Sequence, residues 1–223
     1  MKKVEIISQS LLDAINAQKG GANRTELVSA LSEGGLTPSY GMVKSVIDNV
    51  DIEVAVMVRP TSKSFCYEKQ YLDVMKKDAE FFQEIGVKRI VIGILDERGG
   101  VDLDALNYVL ENINIDVTFH RAIDESKDII ESVKKINTCK KITHILTSGG
   151  RKKAMDSLDL IKKMVEISRP KIMIGSGLNL ESVDIIKDRF NEMDIDIHFG
   201  TYVQNEKGVV DSKKVKEIVE KLK

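Results

Sequence analysis

The chain has 223 residues, 42% of them hydrophobic and 31% charged, and its 34 basic residues nearly cancel its 35 acidic ones to leave a net charge of −1. This is a globular composition with material for a large core, so a disordered chain is excluded. No run approaches the roughly 18 apolar residues of a membrane helix, and a balanced charge without a basic block offers no electrostatic footprint for nucleic acid.

Lys2 and Lys3 open the chain like a secretory leader, but Glu5 breaks the apolar stretch and Ser8, Gln9 and Ser10 follow it. A mature N-terminus and a cytoplasmic location are therefore expected. The two cysteines, Cys66 and Cys139, are too few for a disulfide framework and too far apart for a Cys-x-x-Cys motif, so two reduced thiols are expected.

Taken in chain order, β-rich runs at 4–7 and 24–28 are followed by Thr37-Pro38, which reads as an N-cap and first helical residue ahead of the stripe Met42, Val43, Val46 and Ile47. A third strand at 53–58 is closed by Pro60, and a fourth is expected at 89–94. The segment before strand two (Lys19-Gly20-Gly21 to Arg24) is echoed before strand four (Glu84-Ile85-Gly86 to Arg89), each ending a helix on glycine and entering a strand through arginine. Asp102 reads as the cap of an amphipathic helix carrying Leu103, Leu106, Val109, Leu110 and Ile113. Strand five is expected at 115–119, and Asp124 reads as the cap of a helix with Ile129, Ile130, Val133 and Ile136 inward. Strands at 142–146, 171–174 and 195–199 follow, with Pro170 closing a helix and Asn179 capping the helix through Leu180, Val183, Ile185 and Ile186.

About eight β-then-α units without a linker predict one α/β domain over 1–223, a (β/α)8 TIM-like barrel. The competing doubly wound sheet would place Gly-x-Gly-x-x-Gly after the first strand, which instead runs into Ser8-Gln9-Ser10.

Barrel chemistry sits at the C-terminal strand ends, and residues two apart on a strand share a face. If Glu5, Arg24, Glu26, Arg59 and His120 all face inward, Glu5 and Arg24 lie near the strand starts and suit a register-fixing ion pair. Glu26, Arg59 and His120 lie nearer the mouth. Two carboxylates, a cation and an imidazole are the materials of proton transfer, so Glu26 and His120 are candidate acid–base groups, with Arg59 holding an anion. His144, at the start of its strand, reads as structural. Gly175, Ser176 and Gly177 after strand seven, Gly200 and Thr201 after strand eight, and Ser148 and Gly149 after strand six are candidate anion-binding turns.

The block Glu26-Leu27-Val28-Ser29-Ala30-Leu31-Ser32-Glu33-Gly34-Gly35-Leu36-Thr37-Pro38-Ser39, with Val58-Arg59-Pro60, Val117-Thr118-Phe119-His120-Arg121-Ala122, Ile145-Leu146-Thr147-Ser148-Gly149 and Gly175-Ser176-Gly177, resembles in order the segments of the CutC copper homeostasis family. The resemblance implies a TIM-like barrel, a cytoplasmic homodimer or larger homo-oligomer, and copper handling, with Cu(I) as the ion. Members of that family often carry cysteines at the positions of Ile7 and Val28. Here both are aliphatic, and Cu(I) prefers sulfur ligands. Three readings of the function stay open: a copper-homeostasis protein that binds copper ion, its metal ligands unassigned; a barrel enzyme acting on a small anionic or phosphorylated metabolite; and a barrel with an interaction or regulatory role and no chemistry.

Overall fold

Eight parallel strands close on themselves in chain order, each followed by a helix packed outside, in a computed structural model that describes residues 2–222. The strands are β1 (Val4–Ser8), β2 (Arg24–Leu27), β3 (Glu53–Met57), β4 (Arg89–Ile92), β5 (Asp116–Phe119), β6 (Ile142–Thr147), β7 (Lys171–Gly175) and β8 (Ile195–Phe199). The helices are α1 (Leu11–Lys19), α2 (Tyr40–Ile47), α3 (Lys69–Glu84), α4 (Leu103–Val109), α5 (Ile129–Thr138), α6 (Leu158–Ile167), α7 (Leu180–Arg189) and α8 (Ser212–Leu222). The expected (β/α)8 barrel is the observed fold, and every expected strand falls on an observed one.

The alternation of side chains along each strand divides the core in two. One set, including Ile6, Leu27, Val54, Val56, Ile90 and Ile92, points outward and packs on the apolar stripes of the helices, such as Ala14 and Ala17 of α1 and Val43 and Val46 of α2. The other set points into the barrel, where Ile7, Val28, Ala55, Met57 and Val91 form a small apolar plug. Below the plug the interior is ionic. Arg24 pairs with Glu5, lies 3.4 Å from Asp196 and 3.8 Å from Glu53, and Arg89 bridges Glu53 at 2.5 Å and Asp116 at 2.7 Å.

The glycine echo has a physical basis. Gly21 and Gly86 follow α1 and α3 with φ of 86° and 101°, a left-handed conformation that costs glycine nothing. Each turn delivers its arginine, Arg24 or Arg89, to the same ionic layer.

Two of the expected caps hold and two are corrected. Asp102 accepts from the Ala105 N–H, and Asn179 forms a reciprocal capping box with Ser182. The cap of α2 is Ser39 rather than Thr37, because Thr37 bonds Arg59 of the next strand end through both its hydroxyl and its backbone. The cap of α5 is Asp128 rather than Asp124, whose carboxylate is drawn across to the loop after β6.

Candidate functional site

A cavity of about 450 Å³ opens at the C-terminal end of the strands. Among the residues proposed from the sequence, Glu26, Arg59, His120, Ser176, Gly177, Gly200 and Thr201 line it, while Ser148, Gly149 and Gly175 do not. His198, Met57, Phe65 and Tyr202 complete much of its wall.

Register places the ionisable groups. Glu5 lies opposite Arg24 on one side and His198 on the other, so adjacent inward side chains meet across β2, β1 and β8. Gly175 stands beside His198 on β7, and a Cβ there would come within 2.7 Å of Leu146 Cδ1 and 3.2 Å of His198 Cβ. Gly175 thus makes room first for the Leu146 side chain and then for the Cβ of His198. His198 Nδ1 is 2.8 Å from Glu5 Oε1, and its Nε2 is 3.8 Å from Glu26 Oε2.

The three groups titrate as a connected set. Burial alone would raise the Glu5 pKa, but Arg24 and His198 hold it well below the usual carboxylate range. Burial pushes Glu26 up to about 7, and the Glu5 charge adds to the rise against the pull of His198. Burial disfavours charged His198, yet its bond to Glu5 and the nearby Glu26 raise its pKa overall. Glu26 therefore gains and loses a proton near neutrality, which is what a carboxyl acid–base group needs.

His120 takes a different part from the acid–base role that its sequence position suggested. Its Nδ1 accepts from the Ala122 N–H at 3.1 Å, so the neutral ring carries its proton on Nε2, which has no partner among the described residues. Burial first, then the charge of Arg59, lower its pKa to about 3. At neutral pH His120 is an uncharged hydrogen-bond donor, packed 5.0 Å from the Phe65 ring.

Arg59 is mainly a clamp on the glycine-rich loop between β2 and α2. It donates to the carbonyls of Glu33 and Gly35 at 3.0 and 3.2 Å and lies 4.6 Å over Phe65, leaving Nε as its unpartnered donor. Gly34, with φ of 84°, allows this approach, since a Cβ there would meet Arg59 Nη1 at 2.9 Å.

The anion-binding turns divide. After β6, the N–H groups of Ser148 and Gly150 donate to the Asp124 carboxylate and that of Gly149 to Thr147 Oγ1, so this loop already holds an internal anion. After β7 and β8, the N–H groups of Ser176, Gly177, Gly200 and Thr201 meet no acceptor among the described residues.

His198 and Asp196 were the functional groups that sequence reasoning passed over. Their signal was the alternation Ile195-Asp196-Ile197-His198-Phe199, which puts both polar residues on the inward face. His144 lies in the ionic layer, 2.8 Å from Arg89 Nη1 and 3.3 Å from Asp196, as a structural residue would.

Glu5, Glu26 and His198 bring one ligand atom each within 4.8 Å of one another. Arg24 already supplies the positive charge beside Glu5, and oxygen and nitrogen donors do not match the sulfur preference of Cu(I). Among the described residues Met57 contributes the only sulfur to the cavity wall. Cys66 is exposed in the loop after β3, whereas Cys139 is buried at the end of α5, just before β6 and so at the opposite end of the barrel. The residues present do not fit a thiolate copper centre.

The model of the CutC family matches residues 2–197 of this chain. A family protein CutC of Erwinia tasmaniensis is 38% identical over 185 residues, spanning 82% of this chain and 73% of its own length. The copper homeostasis protein cutC homolog of Dictyostelium discoideum is 34% identical over 215 residues, spanning 82% and 77% respectively. Among solved structures, a CutC from Streptococcus agalactiae superposes with a TM-score of 0.84 at 28% identity, covering 92% of this chain and all of that one.

Proposed function

The chain belongs to the CutC family, and from that premise we propose that it shares in the copper homeostasis for which its relatives are named, acting at the barrel mouth on a small anionic molecule. The observation that carries this reading is the pairing of Glu26, a buried carboxyl with a pKa of about 7 and a free Oε1, with the unpartnered Nε2–H of His120 in one cavity.

Each residue has a definite part. Glu26 exchanges a proton with the bound molecule and His198 balances the change in charge through its contacts to Glu5 and Glu26. His120 donates to an oxygen of the ligand, and Phe65 and Arg59 fix the position of the imidazole. The copper connection on this reading runs through that molecule rather than through a thiolate-held ion.

The protein is further proposed to be a cytoplasmic homodimer or larger homo-oligomer. Tyr71, Val74 and Phe81 leave apolar surface exposed along α3, and Tyr40 of α2 packs tilted against Phe81 with ring centroids 5.1 Å apart. Among the described residues no helix is long and apolar enough to cross a membrane. Light scattering on the purified chain tests the assembly.

The functional test has two arms. In the first, Cu(I) affinity is measured anaerobically against a chromophoric chelator, beside the Cys66→Ser/Cys139→Ser variant. Binding no tighter than that of an unrelated protein is expected, and tight stoichiometric binding lost in the double variant would restore the thiolate reading. In the second, malonate and pyruvate are tested for raising the Tm of the wild type and of His120→Phe. A rise that the variant loses supports the mouth as the binding site, and no rise with any anion refutes it.

A further inference from the structure

The orphaned groups in the mouth differ in chemistry, and together they describe a ligand. His120 Nε2–H is a buried donor without an acceptor, and Glu26 Oε1 is a buried acceptor without a donor. The N–H groups of Ser176, Gly177, Gly200 and Thr201 are donors without acceptors, on residues lining the same cavity. Buried polar groups are nearly always paired, so the two buried side-chain groups mark places where a ligand supplies the missing partners, and the half-buried or exposed turn N–H groups stand free to bind the same ligand.

The first two groups specify a reacting centre. A neutral imidazole N–H suits a carbonyl oxygen that gains negative charge, and a carboxylate lining the same cavity suits an acidic C–H beside that carbonyl. The third set specifies an anion with several oxygens. It arises from the turns after β7 and β8, where barrels commonly hold phosphate, while the equivalent turn after β6 is filled by Asp124.

We propose that the cavity binds a phosphorylated α-hydroxycarbonyl compound, with its phosphate at the β7 and β8 turns, and that Glu26 removes and returns the proton on the carbon next to its carbonyl. The proposal rests on the reading of the mouth as an anion site and narrows it to one substrate class. The C–H bond breaks toward Glu26, its electron pair becomes the carbon–carbon double bond, and the carbonyl π pair moves to the oxygen held by His120. Return of the proton from Glu26 reverses these changes, and no oxidant or reductant is consumed.

Dihydroxyacetone phosphate in D2O, followed by NMR with the full chain, tests the step. The wild type is expected to exchange the proton α to the carbonyl, and Glu26→Gln to lose about a hundredfold or more of that rate. His120→Phe should lose about as much while still binding glycerol 3-phosphate, which has the phosphate but no carbonyl. Dihydroxyacetone without phosphate should exchange roughly tenfold more slowly or worse at equal concentration. Binding of glycerol 3-phosphate without α-proton exchange in the wild type would overturn the proposed step. Equal exchange of the unphosphorylated ketone would overturn the phosphate class. If malonate raises the Tm through His120 but neither phosphate compound binds, this inference falls while the anion reading stands.

Discussion

Gly93 lies directly beneath the ring of His120, so close that a Cβ at residue 93 would sit 2.4 Å from Nδ1 and 2.5 Å from Cε1. The end of β4 carries no side chain there, and the imidazole fills the space. The placement of His120 is thus a joint property of two strands, one supplying the ring and the other its room.

Gly93→Ala should therefore overpack the mouth and destabilise the fold by about 1–3 kcal/mol. In a His120→Ala background the same substitution should cost less, although Ala122 Cβ at 2.9 Å keeps some of the crowding. Chemical unfolding of the four proteins of this cycle measures the difference. Equal costs in both backgrounds would show that the ring does not depend on Gly93.

The pH dependence of stability should carry the mark of Glu26. Its folded pKa of about 7 exceeds the ordinary value of 4.5, so between these values the folded state holds the proton more firmly than the unfolded chain. This group's contribution to stability falls as pH rises through that window, by up to about 1.4 kcal/mol per unit. Glu26→Gln should remove the slope, becoming more stable relative to wild type at pH 8 than at pH 5. Urea midpoints at the two pH values check it.

His120 acts in the opposite sense. With its folded pKa of about 3 against an ordinary value of 6.5, the unfolded chain binds a proton between these values and the folded one does not, so stability drops as pH falls below about 6.5. His120→Phe should flatten this acid limb. An unchanged pH profile of the melting temperature between pH 4 and 6.5 would show that the imidazole is charged in the folded protein.

Arg24 is fully buried and answers the charges of Glu5, Asp196 and Glu53. Arg24→Met should strand these carboxylates in the interior and cost about 3–5 kcal/mol, read as a lowered denaturation midpoint. The loss should shrink on acidification, because Glu5 can then be neutralised by a proton.

Ile7 and Val28 pack together in the apolar plug, Ile7 on β1 and Val28 directly after the adjacent β2. The Ile7→Cys/Val28→Cys variant should bind Cu(I) more tightly than the wild type, since two thiolates add the soft donors that Cu(I) prefers. Chelator competition under anaerobic conditions reads the gain, and no gain would mean that the two positions do not converge on an ion.

The amino-acid order was enough to establish the barrel, because two short-range periodicities encode it. Alternation with period two marks the strands, and apolar stripes with a period near 3.6 mark the helices between them. Asp102 and Asn179 could be read as caps since the groups that they bond lie three residues away. Inward parity was legible for the same reason, and it brought Glu26 and His120 to one interior from distant parts of the chain.

Long-range competition for hydrogen bonds settled what local patterns left open. Thr37 and Asp124 have the chemistry of caps, but Arg59 lies 22 residues from Thr37, and Ser148 lies 24 from Asp124, and these distant partners claim them. His120 carries the same local sequence whether it is a base or a neutral donor. Burial and the field of Arg59, together with the Ala122 N–H on Nδ1, make it a donor, and only barrel closure creates the low-dielectric interior in which that choice is made. Closure also sets β8 beside β1, which places His198 against Glu5 from 193 residues away.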